Sequence, residues 1–377
     1  MLIKSLTVRN FRNIASADFI FDPKVNIFTG NNAQGKTNLC EAVSLCLGKS
    51  FRNPKAGELL PFGQSGNEVA LEICFTFDNM PDKENTITYT QKNSTFRLKF
   101  NGMEMKDAEK LYGALRYVIF IPEDLYIVKG DPSKRRDYID FVSNMINRVH
   151  NSKLYEYNKA LRQKNNILMN SREWDGAAAM MIDSWNDTIA RTGVNVMCGR
   201  IRYFDMLADA ANRYYGMING ANEVLGMKYE STVTDGREFG YDDPMGLYEM
   251  YREKLRETAE KELRMKYTVV GAHRDDISFF INNMPAKDFA SQGQIRSIAV
   301  ALKLAEAQMI CSKSDDVPVI ILDDVLSELD EYRRSFIINH IDNFQIFITS
   351  CNLSDTEKFG HGKIWNVQNG KFELREG

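Results

Sequence analysis

Residues 25–37 read Val-Asn-Ile-Phe-Thr-Gly-Asn-Asn-Ala-Gln-Gly-Lys-Thr, and this stretch decides the fold. Its second part fits the pattern G-x-x-x-x-G-K-[ST] at every fixed position; the residues are Gly30, Asn31, Asn32, Ala33, Gln34, Gly35, Lys36 and Thr37. A β-prone run precedes the pattern and an apolar helical face follows it, so the loop is expected between a strand and a helix. Glycines let backbone N–H groups point at phosphate oxygens, and the positive end of the helix dipole adds to the attraction. The stretch predicts a nucleotide site in which Lys36 contacts the β- and γ-phosphates and the Thr37 hydroxyl ligates Mg²⁺.

A second motif is an acidic strand end. Residues 319–322 read Val-Ile-Ile-Leu and are followed by Asp323 and Asp324. A continuous apolar run is typical of a parallel strand buried on both faces, and ligands bind at the carboxyl ends of such strands. Asp323 is predicted to hold Mg²⁺, directly or through water, and Asp324 to orient and deprotonate an attacking water. The alternative is an ordinary acidic turn after a core strand, and the phosphate loop earlier in the chain argues against it.

The stretch Ser291-Gln-Gly-Gln294 opens a predicted helix before this strand. Taken alone, S-x-x-Q is a capping box, which satisfies N–H groups at a helix start and needs no ligand. Its position in the order phosphate loop, helix start, acidic strand favours a nucleotide-contacting role for Ser291, Gly293 and Gln294.

Composition excludes several classes of protein. The chain has 377 residues with 44% hydrophobic and 26% charged content, as in ordinary globular proteins of roughly two to three domains. Its six cysteines and four histidines show neither Cys-x-x-Cys nor zinc-type spacing, so no disulfide framework or zinc site is indicated. No apolar run approaches the roughly 18 residues that cross a bilayer, and the opening segment is unlike a signal peptide. We expect a cytoplasmic protein without a membrane segment.

The periodicity of apolar residues changes twice along the chain. Residues 69–77 alternate strictly between apolar and polar, as in a half-buried strand, and Asn101-Gly102 predicts a hairpin turn. The middle of the chain has helical periodicity, and the remainder returns to alternating strands and helices. The prediction is an α/β protein with one part formed by 1–110 and 266–377 and a helical lobe, 111–265, inserted between them.

The order of these motifs resembles the ATPase head of the ABC superfamily. The phosphate loop corresponds to Walker A, 291–294 to the signature motif, 319–324 to Walker B and 327–330 to the D-loop. Within that superfamily the chain is most similar to the RecF family of bacterial recombination mediators, over essentially its whole length. The stretches that carry this resemblance are Asn10-Phe-Arg-Asn13, Pro122-Glu-Asp-Leu125, Lys129-Gly130, Arg135-Arg136, Gly271-Ala-His-Arg-Asp-Asp276 and Leu322-Asp-Asp-Val-Leu-Ser-Glu-Leu-Asp330. The implied fold is an ABC-type P-loop ATPase head with an antiparallel β subdomain and an inserted helical lobe.

The resemblance implies that ATP and Mg²⁺ are held between two heads of a homodimer. Ser291 of one subunit would touch the γ-phosphate that Lys36 of the other subunit binds, and Arg12 would lie near the phosphates. ATP would assemble the dimer on double-stranded DNA near gaps and, with RecR, promote recombinase loading in DNA repair and replication restart. A weak, DNA-stimulated hydrolysis would release it. Two departures from related heads suggest slow hydrolysis: Asp324 stands where transporter-type heads usually carry glutamate, and Thr349-Ser350 supplies no histidine at the switch position.

Any contact with DNA must come from a local basic patch, because the net charge of the chain is -3. Residues 116–172 carry 11 Lys or Arg against 6 Asp or Glu. The sharpest subset is Lys134, Arg135 and Arg136 at a predicted helix start, where backbone N–H groups can join the side chains in binding phosphate. A solvated helix face is the alternative. The sequence contains no base-reading motif, so binding is expected to be indifferent to base sequence.

Two other functional classes are less consistent with the sequence. A transporter ATPase subunit would couple to a membrane protein through the helical lobe, but the strand-rich opening around Arg12 and the missing switch histidine argue against it. A chromosome-organising protein of the SMC kind needs very long coiled coils or a cysteine hook, and the middle segment has no sustained heptads.

Overall fold

The computed structural model describes residues 1–375 except 49, 53, 55, 62–67, 93–94, 106–114, 171–175, 221, 238, 315 and 352–361. The chain divides into two compact units, Met1–Tyr126 with Arg296–Gly377, and Ile127–Ile295. The predicted boundary between residues 110 and 111 lies outside the described residues. The boundary predicted at 265/266 differs from the observed one, because strands on both sides of it pair with each other in the second unit.

The first unit opens with β1 (Leu2–Phe11), β2 (Ile14–Ile20), β3 (Val25–Thr29), α1 (Lys36–Cys46), β4 (Glu68–Phe77), β5 (Met80–Lys92), β6 (Thr95–Phe100), β7 (Met103–Glu104) and β8 (Tyr117–Phe120). The second unit contains α2 (Pro132–Ile146), α3 (Val149–Asn170), α4 (Gly176–Asn219), β9 (Leu225–Glu230), α5 (Pro244–Glu257), α6 (Ala259–Met265), β10 (Asp276–Ile281), β11 (Met284–Pro285) and α7 (Ala286–Phe289). The chain continues through α8 (Gln292–Lys313), β12 (Val319–Asp323), α9 (Glu331–His340), β13 (Ile346–Ser350), β14 (Lys363–Gln368) and β15 (Lys371–Leu374).

One sheet of the first unit is antiparallel, with the strand order β2-β1-β4-β5-β6-β7. The alternation predicted for 69–77 is observed in β4, which buries one row of apolar side chains completely: Val69, Leu71, Ile73 and Phe75. The predicted turn is observed as well. Asn101 and Gly102 have φ angles of 48° and 78° between β6 and β7, which is the left-handed region that this dipeptide tolerates best.

The other sheet of the first unit has the order β15-β14-β3-β13-β12-β8 and is parallel except for β15. Every residue of β3, β8, β12 and β13 is buried, as expected for parallel strands covered on both faces. The pairing register places Thr29 opposite Ser350 and Thr349 opposite Asp323. The phosphate loop and the acidic strand end therefore lie at the same, carboxyl edge of this sheet.

The second unit packs helices around a three-stranded antiparallel sheet with the order β11-β10-β9. Its core joins α3, α4 and α5 around the buried rings of Tyr157 and Tyr251. Buried ion pairs also connect the helices. Lys164 of α3 donates to Glu262 of α6 at 2.5 Å. No helix in the described part of the chain is both long and apolar enough to cross a membrane.

Candidate nucleotide-binding site

The phosphate loop, residues 30–35, connects β3 to α1. Gly30, Ala33 and Gly35 have φ angles of 156°, 64° and 116°, which curl the backbone. A Cβ at Gly30 would lie 2.3 Å from the carbonyl oxygen of Val367, and one at Gly35 would lie 2.8 Å from the Asn13 side chain. The clash with a backbone oxygen requires glycine at position 30, and the left-handed φ of 116° favours glycine at position 35. Because α1 begins at Lys36, its first N–H groups are available at the loop.

The Lys36 ammonium lies within this loop. Its Nζ donates to the carbonyl oxygens of Gly30 at 2.7 Å and Asn31 at 3.1 Å, and the side chain is 3% exposed. The Cys351 sulfur lies 3.4 Å from the same nitrogen and donates to Oδ1 of Asn32 at 2.8 Å. The loop therefore holds a positive charge at its centre, where a phosphate group can be bound.

Gln34 is braced from two sides. The backbone N–H groups of Asn369 and Gly370 donate to its side-chain and main-chain oxygens at 2.7 and 2.8 Å. The Asn13 amide donates to the same main-chain oxygen at 3.0 Å. The turn between β14 and β15 and the turn between β1 and β2 thus fix the outer side of the phosphate loop.

Asp323, at the end of β12, is 3% exposed and hydrogen-bonded to two threonines. The Thr349 hydroxyl donates to its Oδ1 at 2.7 Å, and the Thr37 hydroxyl forms a second hydrogen bond. Burial raises the pKa of Asp323 to about 6, and these hydrogen bonds oppose the shift. A buried carboxylate beside the Thr37 hydroxyl is a donor set that suits a divalent cation.

Asp324 has a left-handed backbone, with φ at 50°, directly after β12. Its N–H donates to the Thr349 hydroxyl at 2.8 Å. Its Oδ1 is buried without a hydrogen-bond partner among the described residues, and the Lys36 ammonium lies 4.0 Å away. Burial raises the pKa of Asp324, and the charge of Lys36 opposes the rise. The side chain is thus a carboxylate with increased proton affinity and one oxygen available for water.

A magnesium ion would need further ligands besides protein groups. The described residues contain no group of three or more His, Cys, Asp or Glu side chains that could hold a metal alone. Magnesium is commonly bound by one or two protein oxygens together with phosphate oxygens and water. The Thr37 hydroxyl and the Asp323 carboxylate fit that pattern.

Arg12 lies beside the phosphate-loop helix. Its guanidinium forms a bidentate pair with Glu41 of α1, at 2.5 and 2.9 Å, and also donates to the main-chain oxygen of Glu58 at 3.1 Å. Its φ angle is 51°, an uncommon backbone conformation for a residue with a long side chain. These contacts hold Arg12 against α1, one helical turn from Thr37.

The predicted signature residues form a capping box. Ser291 N–H donates to Oε1 of Gln294 at 2.8 Å, and Gln294 N–H donates to Oγ of Ser291 at 3.2 Å. Ser291 and Gln292 are exposed, and Gly293 lies in the first turn of α8. The helix start is therefore capped by its own side chains and open to solvent, a geometry compatible with both interpretations of the motif.

The basic triplet does not form a common surface. Lys134 is exposed, but Arg135 is 3% exposed and donates to both carboxylate oxygens of Asp276 and to the carbonyl oxygen of Gly130. Arg136 is half-buried and donates to the carbonyl oxygen of Asp275 at 2.8 Å. The structure contradicts the prediction that Arg135 contacts DNA, because its guanidinium is buried and hydrogen-bonded within the second unit.

Three residues near this site were given no role from the sequence: Asn13, Glu41 and Arg52. Thr349 was placed at the switch position, but its hydrogen bond to Asp323 was not predicted; it lies near the end of a parallel strand, at the sheet edge where ligands bind. Glu41 follows Thr37 by four residues on the same helix face, which was a weaker signal. Nothing in the spacing connects Arg52 with this site, since its contacts depend on the tertiary fold.

The fold and the site together define a P-loop ATPase head of the ABC and SMC class, as the sequence predicted. Residues 2–369 match the family model described as the RecF/RecN/SMC N-terminal domain. The chain belongs to the RecF family. It is 33% identical to the DNA replication and repair protein RecF of Ruminiclostridium cellulolyticum, over 96% of this chain and 95% of that protein. It is 34% identical to RecF of Streptococcus pyogenes serotype M49, over 99% of each.

Solved structures agree with this assignment. A structure of the recombination mediator protein RecF with ATP, from the RecFOR pathway, has a TM-score of 0.88 and 30% identity, and covers 100% of this chain and 98% of its own. The Smc head domain of Pyrococcus furiosus shares the fold at a TM-score of 0.56 and 13% identity, over 99% of this chain and 96% of its own. The chain is therefore a member of a family of DNA replication and repair proteins.

Proposed function

We propose that this chain is an ATP-switched clamp on double-stranded DNA that acts in recombinational repair and replication restart. The observation that carries the proposal is the convergence of Lys36, Thr37, Asp323 and Asp324 at one sheet edge, beside the N-terminus of α1. This arrangement offers a cation and helix N–H groups to a phosphate chain, and carboxylates to a metal and a water. A solved RecF structure that contains ATP supports the assignment.

In this proposal the phosphate loop, residues 30–37, binds the triphosphate of ATP. Lys36 neutralises the β- and γ-phosphates, and backbone N–H groups of the loop and of α1 donate to their oxygens. Thr37 and Asp323 hold Mg²⁺, which supplies charge neutralisation at the phosphate to be cleaved. Arg12 lies close enough to the same helix to contribute a further positive charge.

Asp324 is the proposed general base. Its raised pKa increases its affinity for the proton of an attacking water, and its unpartnered Oδ1 can accept that water's hydrogen bond. The side chain is shorter than glutamate by one methylene group, and Thr349-Ser350 offers no imidazole to the γ-phosphate. We therefore propose a slow, DNA-stimulated ATPase that works as a switch.

The proposed switch is a homodimer with ATP between two heads. Ser291, Gly293 and Gln294 lie at an exposed start of α8, and a helix N-terminus binds anions. Ser291 of one subunit would contact the γ-phosphate bound by Lys36 of the second subunit. ATP would then stabilise the dimer by mass action, because the complete site exists in the dimer alone.

The dimer is proposed to hold duplex DNA near gaps and to promote recombinase loading together with RecR. Support comes from the RecFOR pathway named for the similar structure and from the replication and repair names of the relatives. Backbone contacts by exposed cations such as Lys134 would make this binding indifferent to base sequence.

Two substitutions test the nucleotide part of the proposal, because one should affect ATP binding and the other ATP hydrolysis. Lys36→Ala should abolish ATP binding, because the charge at the centre of the loop is removed. Asp324→Asn should bind ATP with little change and lose hydrolysis, because an amide cannot accept the proton of water. Titration with a fluorescent ATP analogue and a phosphate-release assay measure the two effects. Equal loss of affinity in both variants would show that Asp324 is structural, and unchanged affinity in Lys36→Ala would reject the phosphate site.

A further inference from the structure

Glu223 contacts the start of α8 from the loop between α4 and β9. Its Oε1 accepts a hydrogen bond from the side-chain Nε2 of Gln294 at 2.9 Å. Its Oε2 accepts from the hydroxyl of Tyr215, a buried residue of α4, at 2.7 Å. Glu223 itself is partly buried, and all three residues belong to the second unit. Both oxygens of this carboxylate are therefore used, and one of them is used at the predicted signature motif.

The loop that carries Glu223 is held in place by two asparagines. The Val224 N–H donates to Oδ1 of Asn282 at 2.9 Å, and the Asn282 N–H donates back to the Val224 carbonyl oxygen at 3.0 Å. The next N–H, that of Leu225, donates to Oδ1 of Asn212 on α4 at 2.9 Å. The backbone beside Glu223 is thus fixed by contacts that do not involve α8, so the carboxylate can impose an orientation on Gln294.

The carboxylate determines which way the Gln294 amide faces. An amide oxygen only accepts hydrogen bonds and an amide nitrogen only donates them, while an ionised carboxylate only accepts. The Gln294 nitrogen must therefore face Glu223, and the Gln294 oxygen then faces the Ser291 N–H, from which it accepts at 2.8 Å. A reversed amide would set two donors against each other at Ser291.

The Ser291 hydroxyl takes part in the capping box as an acceptor. Its Oγ accepts from the Gln294 N–H at 3.2 Å. A hydroxyl has one proton besides its two lone pairs, and the Ser291 proton is donated to no acceptor among the described residues. Ser291 is exposed, at a helix start that attracts anions. Capping and anion binding are therefore compatible, because they use different parts of the same hydroxyl.

We propose that Glu223 is a positioning residue for the nucleotide switch: through Gln294 it holds Ser291 in the orientation that donates to the γ-phosphate bound by the second subunit. This role rests on the proposed ATP-driven dimer. The charge of Glu223 would repel a phosphate, so its contribution comes from the hydrogen bond that it accepts and not from electrostatic attraction. The contribution is confined to the dimer, since Ser291 meets the nucleotide only there.

Glu223→Ala should raise the dissociation constant of the ATP-bound dimer by about a hundredfold. Losing one charge-assisted hydrogen bond costs roughly tenfold at each site, and a symmetric dimer contains two such sites. ATP binding to the monomer should stay at the wild-type level, because the phosphate loop is unchanged. Sedimentation velocity over a protein concentration series with ATP and Mg²⁺ measures the dimer. Titration with a fluorescent ATP analogue at low protein concentration measures the monomer.

Glu223→Gln separates the hydrogen bond from the charge. Its amide oxygen can still accept from Gln294, so most of the dimer affinity should return although the charge is gone. If Glu223→Gln weakens the dimer as much as Glu223→Ala does, the positioning role is rejected. Tyr215→Phe, which removes the other partner of the carboxylate, should weaken the dimer in the same direction but less. It tests the role independently if Glu223→Ala has a lowered melting temperature, and a wild-type dimer affinity would then count against positioning.

Glu230→Ala is the matched control. Glu230 is an exposed glutamate at the end of β9, and its carboxylate forms no hydrogen bond or ion pair within the described part of the chain. Its removal should leave the dimer unchanged.

A double substitution shows whether Glu223 acts through Ser291. Adding Glu223→Ala to Ser291→Ala should weaken the dimer little beyond Ser291→Ala alone, because both changes remove the same contact. Full additivity would contradict positioning through that hydroxyl. If the wild type does not dimerise with ATP, the proposed function is wrong and the role of Glu223 with it. A wild type that dimerises, together with a Glu223→Ala variant of equal dimer affinity, rejects the positioning role alone.

Discussion

At the scale of single residues, the charge of the buried Asp323 carboxylate lowers the free energy of unfolding. Asp323 is held among apolar strands, and burial raises its pKa to about 6, against 3.8 for the free side chain. Because the folded-state pKa is raised, the folded protein binds the proton more tightly than the unfolded chain. This decrease in stability is absent below pH 3.8 and reaches its full value above about pH 6.

Asp323→Asn should therefore stabilise the protein at pH 7 in metal-free buffer. The amide keeps the shape and can still accept a hydrogen bond from Thr349, but it carries no buried charge. The gain should approach roughly 3 kcal/mol, from a shift of about two pKa units. Thermal unfolding between pH 4 and pH 8 with EDTA measures it, and the difference should shrink toward pH 4. Adding Mg²⁺ with ATP should stabilise the wild type but not the variant; a variant less stable at pH 7 would contradict this account.

Residues that follow a local pattern could be predicted, and residues that depend on tertiary contacts could not. The phosphate loop is encoded by its own glycines and by Lys36, so its shape was predictable. Arg135 was assigned to DNA because it stands in a basic triplet. Its spacing from Tyr138 and Val142 places it on the buried stripe of α2, and that periodicity was the better guide. Its partner Asp276 is far away in sequence, so only the fold brings the two together.

At the scale of elements, His273 connects the segment between α6 and β10 to the helices of the second unit. Its Nε2 lies 3.0 Å from the Thr268 carbonyl oxygen, which can only accept, so His273 donates there. Its Nδ1 then accepts from the Tyr157 hydroxyl at 2.7 Å. Burial lowers the pKa of His273 to about 4. The neutral ring therefore joins this segment to α3 through hydrogen bonds.

This arrangement predicts a pH-dependent loss of stability in the second unit. Because the folded-state pKa of His273 lies below the 6.5 of a free histidine, the unfolded chain binds the proton more readily, and stability falls as the pH decreases from 6.5 toward 4. Between pH 6.5 and pH 4, protonation linked to His273 lowers the free energy of unfolding by roughly 3 kcal/mol. His273→Asn should be less stable than the wild type at pH 7, and the difference should narrow toward pH 4. Urea unfolding at several pH values measures this, and a constant difference would contradict it.

Strands and turns that follow a local sequence pattern were predictable, whereas a strand that forms by pairing with a distant segment was not. The two hairpin turns at Asn101-Gly102 and Asn369-Gly370 have the positive φ angles expected of these dipeptides. Strand β4 follows its alternation. Strand β9, in contrast, lies within a region whose periodicity is helical, and it is a strand because β10, far along the chain, pairs with it. That pairing also places the residues after 265 in the second unit.

At the scale of the whole molecule, the proposed binding to DNA would have to overcome a net charge of -3 through exposed cations. Lys134→Ala should weaken binding to duplexes of unrelated sequence equally. The slope of log affinity against log salt should decrease by about 0.9 for each phosphate that the variant no longer neutralises. Arg135→Ala should instead lower stability by roughly 2 kcal/mol, because its hydrogen bonds to Asp276 are removed. Fluorescence anisotropy across a salt series and thermal unfolding separate the two effects.

An unchanged salt slope in Lys134→Ala would place the DNA surface on other cations, such as Lys159 or Arg162, which lie on α3 and are exposed. Different affinities for duplexes of different sequence would contradict backbone recognition. A steeper slope with ATP than without it would support a dimer that presents two copies of the same surface.

The most direct test of the central claim is the mass of the protein in solution, measured by light scattering with and without ATP and Mg²⁺. The wild type, 43.2 kDa as a monomer, should double in mass at saturating ATP. Ser291→Arg should remain monomeric, because the larger side chain fills the start of α8, while it still binds ATP through its intact phosphate loop. A wild type whose mass does not change with ATP, or a Ser291→Arg variant that dimerises normally, would contradict the account.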